Sequence, residues 1–135
     1  MNQINIKFRG KRKDTGEWIE GGYYFDGIET YIKPYRKNVR FGSGFEVIPE
    51  TVGQFIGKLT NGDEIFINDL IKHGQTVRVV EYRDGNTFLR RQSGRETILL
   101  SFSPNPIKLG NIFDNPELLE VPIENLIKFN KIKEL

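Results

Sequence analysis

Cysteine is absent from this 135-residue chain. Its absence excludes disulfides and thiolate metal sites and argues against a small disulfide-stapled secreted scaffold. Long apolar runs are missing too, since none approaches the roughly 18–20 residues that span a bilayer. The opening Met1-Asn2-Gln3-Ile4-Asn5-Ile6-Lys7 alternates polar and apolar residues and contains no signal-peptide core. A cytoplasmic protein is the expectation. The excess of one sign of charge is also small, a net +2, whereas polyanion binders carry a larger and more clustered excess. There is a single histidine, and no phosphate-binding loop, dinucleotide fingerprint or calcium-loop spacing. Neither a cofactor nor a metal is expected.

What the chain does have favours strands. Aromatic residues make up 12% of it, with ten Phe and five Tyr, and wide flat rings pack well across a pleated face. Ile4, Ile6 and Phe8 share one face at period two, with Asn5, Lys7 and Arg9 on the other, which predicts a half-buried strand. Asp14-Thr15-Gly16 supplies a turn, so residues 5–24 read as a β-hairpin with an exposed tip at 11–14. A short strand over 31–35 is edged by Pro34, and residues 45–48 resume an extended path that stops at Pro49. Residues 41–45 form a loop by composition.

Beyond Asn61-Gly62, a strong turn dipeptide, the signals come close together. Strands are predicted over 64–66, 70–72, 77–82, 87–91 and 96–100, with Asp84-Gly85 and Ser93-Gly94 as turns, and another over 107–113. Short strands at this spacing mark a small barrel or sandwich. Asn115-Pro116-Glu117 then reads as the start of a short helix: a cap, proline at the first helical position and a carboxylate in the first turn. Residues 121–135 form a C-terminal tail whose apolar spacing fits neither a helix nor a strand.

Chemistry-bearing residues are few. His73 has no nucleophile at motif spacing and reads as a solvated loop residue. Asp63, Glu64 and Asp69 are the densest acidic group, better explained by turn-forming Asp than by a cation. The basic residues are the strongest candidates for a site. Lys7, Arg9 and Lys11 alternate onto one face of the first strand, with Arg12 and Lys13 at its tip. Lys33, Arg36, Lys37 and Arg40 lie among Tyr31 and Tyr35, and Arg90, Arg91 and Arg95 surround a hairpin tip. Cations along a phosphate backbone beside aromatic stacking surfaces would suit single-stranded nucleic acid. The competing reading is a soluble, edge-protecting or protein-contacting face, and interspersed acids favour it: residues 1–60 hold ten Lys/Arg against seven Asp/Glu, residues 61–135 ten against eleven.

Three segments resemble the YopX family of phage and prophage proteins. They are Asn5-Ile6-Lys7-Phe8-Arg9-Gly10-Lys11-Arg12 with Gly16-Glu17-Trp18; Thr51-Val52-Gly53-Gln54-Phe55-Ile56-Gly57 leading to Asn61-Gly62 and Glu64-Ile65-Phe66; and Gly110-Asn111-Ile112-Phe113-Asp114-Asn115-Pro116-Glu117-Leu118-Leu119. Two features depart from the family pattern. Ile67-Asn68-Asp69 stands where an acidic residue, Gly and Asp are usual, and Phe55 and Phe113 replace Tyr. The resemblance implies a mobile-element protein of a bacterial host, with an α/β N-terminal part, a small SH3-like barrel and self-association. It implies no reaction.

The expectation is therefore a mainly β (α+β) protein: a hairpin-rich α/β part over 1–50, an SH3-like barrel part over 51–120, and the tail. The expected function is that of a non-enzymatic accessory protein acting by self-assembly or by binding another phage or host protein. The alternative is a weak, sequence-tolerant nucleic-acid-binding module using Lys7, Arg9, Lys11, Arg12, Lys13, Arg36, Lys37, Arg90 and Arg91. No membrane partner is expected.

Overall fold

The computed structural model of the chain describes residues 6–34, 44–91 and 97–119. The chain divides into two units, residues 1–55 and 56–135. In the first, β1 (Phe8–Lys11) and β2 (Trp18–Phe25) form the expected hairpin, with Phe8 opposite Gly21 and Lys11 opposite Trp18. Gly16 closes its turn with φ +76° and its N–H on the Arg12 carbonyl, a left-handed conformation that glycine adopts without strain. β2 runs on into β3 (Thr30–Lys33). Asp26 forms that turn by accepting the N–H groups of Ile28 and Glu29 at 2.8 and 2.7 Å, the side-chain mimicry that favours Asp in turns. β4 (Phe45–Glu46) pairs with β3, and β5 (Gly53–Lys58) pairs with β1, all antiparallel.

Two glycines let this sheet close up. A Cβ on Gly10 would stand 3.2 Å from the Cβ of Val47, which is itself buried. At Gly21 a Cβ would overlap the Lys33 carbonyl and lie 2.8 Å from the Pro34 Cα. The first strand departs from its expected burial. Ile6 precedes β1 and is 51% exposed, while Arg9, on the supposed solvent face, is 6% exposed. The cause is Trp18: its ring lies 4.7 Å below the Arg9 guanidinium, so cation–π attraction and stem packing cover that face. Ile4 lies outside the described residues.

The second unit begins within β5. Asn61 and Asp63 hold the turn to β6 (Glu64–Phe66), where Gly62 has φ +93°. A meander follows through β7 (Asp69–His73), β8 (Thr76–Arg83), β9 (Asn86–Arg91) and β10 (Thr97–Leu99). A 3-10 turn at Leu100–Phe102 then leads to β11 (Ile107–Asn111), which returns to pair with β7. The resulting sheet has the order β10-β9-β8-β7-β11. Asp84 and Gly85 both have positive φ, the twist that a two-residue hairpin needs. Both faces of β7 and β8 are covered. Ile71 and Val80 join Leu59, Ile65 and Leu89 on one side, and Leu70, Val77 and Val79 meet Leu109, Ile112, Leu118 and Leu119 on the other.

Asn68, at the family's usual Gly position, has φ +74°. Asn is among the few side chains that tolerate this region, which accounts for the departure. Among the described residues there is no α-helix. The expected short helix is a 3-10 turn over Pro116–Leu119, and the α part of the expected first unit is likewise only a 3-10 turn at Pro49–Thr51. Asn115 does not cap the turn as predicted. Its Oδ1 accepts from the Asn111 N–H, because the buried Asn111 organises this loop. The Asn111 Oδ1 accepts from Phe113 and Asp114, both at 2.9 Å. Asn111→Ala leaves both donors without that acceptor and is expected to cost about 2 kcal/mol, read as a lowered urea midpoint with unchanged slope. The expected tail over 121–135 lies outside the described residues.

Candidate functional site

A cationic row on a strand serves a polyanion only if its charges are available. Lys7 Nζ lies 3.1 Å from the Glu20 carboxylate and 4.9 Å from the centre of the Phe55 ring. Arg9 and Lys11 both sit over Trp18. Arg12 grips Asp14 through two hydrogen bonds of 3.0 and 2.7 Å and stacks 4.1 Å above Phe45. That grip holds the Asp14 carboxyl below its ordinary range. Lys13 reaches Glu46 at 3.4 Å and Glu29 at 3.9 Å. In the second unit Arg90 pairs with Glu81 across β8 and β9, and the Arg91 carbonyl accepts from Arg90. Arg36 and Lys37 lie outside the described residues, as do Tyr35, Arg40 and Arg95. The structure thus brings Lys7, Arg9 and Lys11 together as read from the sequence, but around Trp18 and Glu20 rather than toward solvent alone.

The more available surface is aromatic. Register places Tyr23, Ile32 and Phe45 in one cross-strand row, and Phe25 follows Tyr23 on the same face. Ile32 is fully buried in this row, yet Tyr23 is 44%, Phe25 57% and Phe45 39% exposed. Ile28, in the β2–β3 turn, is 83% exposed. On the opposite face Tyr24 and Tyr31 stack with ring centres 5.0 Å apart. The sequence signal for this patch was the uninterrupted Tyr23-Tyr24-Phe25, which puts rings on both faces of one strand. Grouped exposed apolar side chains of this kind mark contact surfaces more often than isolated ones do.

His73 is not merely a solvated loop residue. Its Nδ1 lies 2.7 Å from the Oγ of buried Ser103, thirty residues away. Burial, and then the positive charge of Arg78, push its pKa below the ordinary 6.5. Folding therefore favours the neutral ring. The unfolded chain binds the extra proton first, so stability falls as pH drops through about 6.5 toward the lower folded value. His73→Gln is expected to flatten that acid limb, which thermal melts between pH 5 and 7.5 would show.

The acidic trio separates into structural roles. Asp63 braces its turn with Asn61, and the Glu64 carbonyl accepts the Lys108 ammonium at 2.8 Å. Asp69 is fully buried, accepts the Phe66 N–H at 2.7 Å and lies 3.4 Å from Lys108 Nζ. Among the described residues no three His, Cys, Asp or Glu side chains group as metal ligands, and no helix is long and apolar enough to cross a membrane.

Fold and surface together define a mainly β protein of two antiparallel sheets in which Lys7, Arg9, Lys11, Arg12, Lys13 and Arg90 are engaged and the first sheet shows a row of exposed rings. The family model described as YopX protein matches residues 7–120, and the chain belongs to that family. No curated protein and no solved structure matches the chain significantly.

Proposed function

We propose that this chain is a non-enzymatic accessory protein of phage or prophage type, working in the bacterial cytoplasm by self-assembly through the face of β2–β4. The observation carrying this reading is the exposed set Tyr23, Phe25 and Phe45 on one small sheet, with Ile28 in its β2–β3 turn. Leaving such rings in water forgoes roughly 25 cal/mol per Å² of apolar surface that a second copy would cover. The self-association implied by the family resemblance is in keeping with it. Binding another phage or host protein through the same face is the nearest variant.

The second unit is read as an SH3-like small barrel. Its support is connectivity: a four-strand meander, a 3-10 turn and a last strand returning beside the first, with a bulge between Lys108 and Gly110. Bulges bend strands as barrel curvature requires. Sequence-tolerant nucleic-acid binding has weaker support, because each of Lys7, Arg9, Lys11, Arg12, Lys13 and Arg90 already meets a carboxylate or a ring. Fluorescence anisotropy with single-stranded oligonucleotides at low salt is expected to show no saturable binding.

Phe25→Ser combined with Ile28→Ser tests the surface. Both side chains are exposed, so the fold should survive with a stability change within about 0.5 kcal/mol. Oligomer mass by light scattering should fall to that of the monomer. Unchanged mass in the folded double variant would remove this face from the assembly.

A further inference from the structure

The second unit contains a cleft of 460 Å³ that none of the preceding roles uses. Three pieces of chain shape it: the end of β5 and the turn after it (Lys58 and Thr60), the start of β9 (Thr87), and the 3-10 turn with its exit (Ser101 and Ser103). The side chains of these five residues carry hydrogen-bond donors, four hydroxyls and one ammonium. Asn86 also lines the cleft, with one amide hydrogen donated to the Asp84 carbonyl. Leu99, Leu100 and Pro106 supply an apolar wall, and no carboxylate side chain is among the described lining residues. Concave sites of a few hundred Å³ with an apolar lining and a few placed polar groups are the usual form of a small-ligand pocket. Here the polar groups share one bias: they can all donate, and the only formal charge is positive.

We propose that this cleft binds an oxyanion, the carboxylate or phosphate of a small ligand, with Lys58 as its charge partner and Ser103 as an oriented donor. Ser103 is 9% exposed, and the His73 Nδ1 fixes its Oγ at 2.7 Å. A serine hydroxyl has one proton. If Ser103 donates to His73, it has none for a ligand. With the neutral ring in its Nδ1–H tautomer, His73 donates to Oγ and the hydroxyl proton turns to the anion. Oxyanion binding and the His73 tautomer are therefore coupled, a relay of Nδ1–H to Oγ–H to ligand oxygen.

His73 is the only histidine in the chain, so its ring signals report on the cleft without ambiguity. The full chain is titrated at pH 7 and constant ionic strength with inorganic phosphate and, separately, with acetate, following the imidazole ¹⁵N signals and the Thr60 and Thr87 amides by NMR. The expected result is saturable binding at about millimolar affinity, with the ring moving toward the Nδ1–H form. Lys58→Gln, at an exposed position, should weaken binding at least fivefold. Thr87→Val should weaken it with the fold intact. In Ser103→Ala the ring should no longer respond. Saturation by phosphate alone assigns a phosphate ligand, by acetate alone a carboxylate, and by both the general oxyanion site. No saturable shift with either ion overturns the proposal, as does an unaltered affinity in Lys58→Gln.

Discussion

Gly21→Ala is expected to lose more than about 4 kcal/mol, at the extreme end of single substitutions. The reason is local and steric. Gly21 is opposite Phe8 in the middle of the first sheet, and an added methyl would overlap the Lys33 carbonyl and approach the Lys33 carbonyl carbon at 2.6 Å and the Pro34 Cα at 2.8 Å. These are backbone atoms, which cannot swing aside as a long side chain can. Relief would require β2 and β3 to separate, losing the register that buries Ile32 and places the aromatic row. A melting temperature lower by on the order of 20 °C should accompany the loss. Gly16→Ala is the contrasting control. Its φ of +76° strains an L-residue, but nothing lies within 4 Å of the added methyl, so about 1 kcal/mol is expected. Equal effects at the two positions would show that conformational strain, rather than overlap, governs both.

Asp69→Ala should be the second most damaging change, at about 3–5 kcal/mol. Asp69 has no exposure, and its Oδ2 receives both the Phe66 N–H and the ammonium of Lys108 on β11. Truncation leaves a buried donor without its partner, a cation without its anion and a small void. Asp69→Asn keeps an acceptor for Phe66 but forfeits the charge and turns the other buried carboxylate oxygen into an amide donor, so roughly 1–3 kcal/mol is expected, still less than for Ala. Combining Asp69→Asn with Lys108→Met should cost less than the sum of the singles, because neither change then strands a charge. Additive losses in urea denaturation would mean that the pair is not coupled and that Asp69 acts only as a turn residue.

These two positions also show where sequence reading stopped. β7, β8 and β9, with the turns at Asn61-Gly62 and Asp84-Gly85, were legible because β-branched runs and turn dipeptides are local signals. The Asp69–Lys108 pair joins residues far apart in the chain, and no spacing rule links them. Period two places Arg9 opposite Ile6 and Phe8 in direction, but it does not reveal which face will be covered; Trp18, across the hairpin, decides that. The same limit applies to the candidate site. Clustering of Lys7, Arg9 and Lys11 was visible, whereas their engagement with Glu20, Trp18 and Phe55 is a property of register. The single histidine looked idle because Ser103 is brought to it only when β11 returns to β7.

The exposed row on β2–β4 leads to one claim above the others, that copies of this chain associate through it. Light scattering coupled to size exclusion, over about 1–100 μM, measures that directly. The expected mass is a whole multiple of the 15.7 kDa chain, returning to one chain in the Phe25→Ser and Ile28→Ser double variant. A wild-type chain that stays monomeric across the whole range would contradict it.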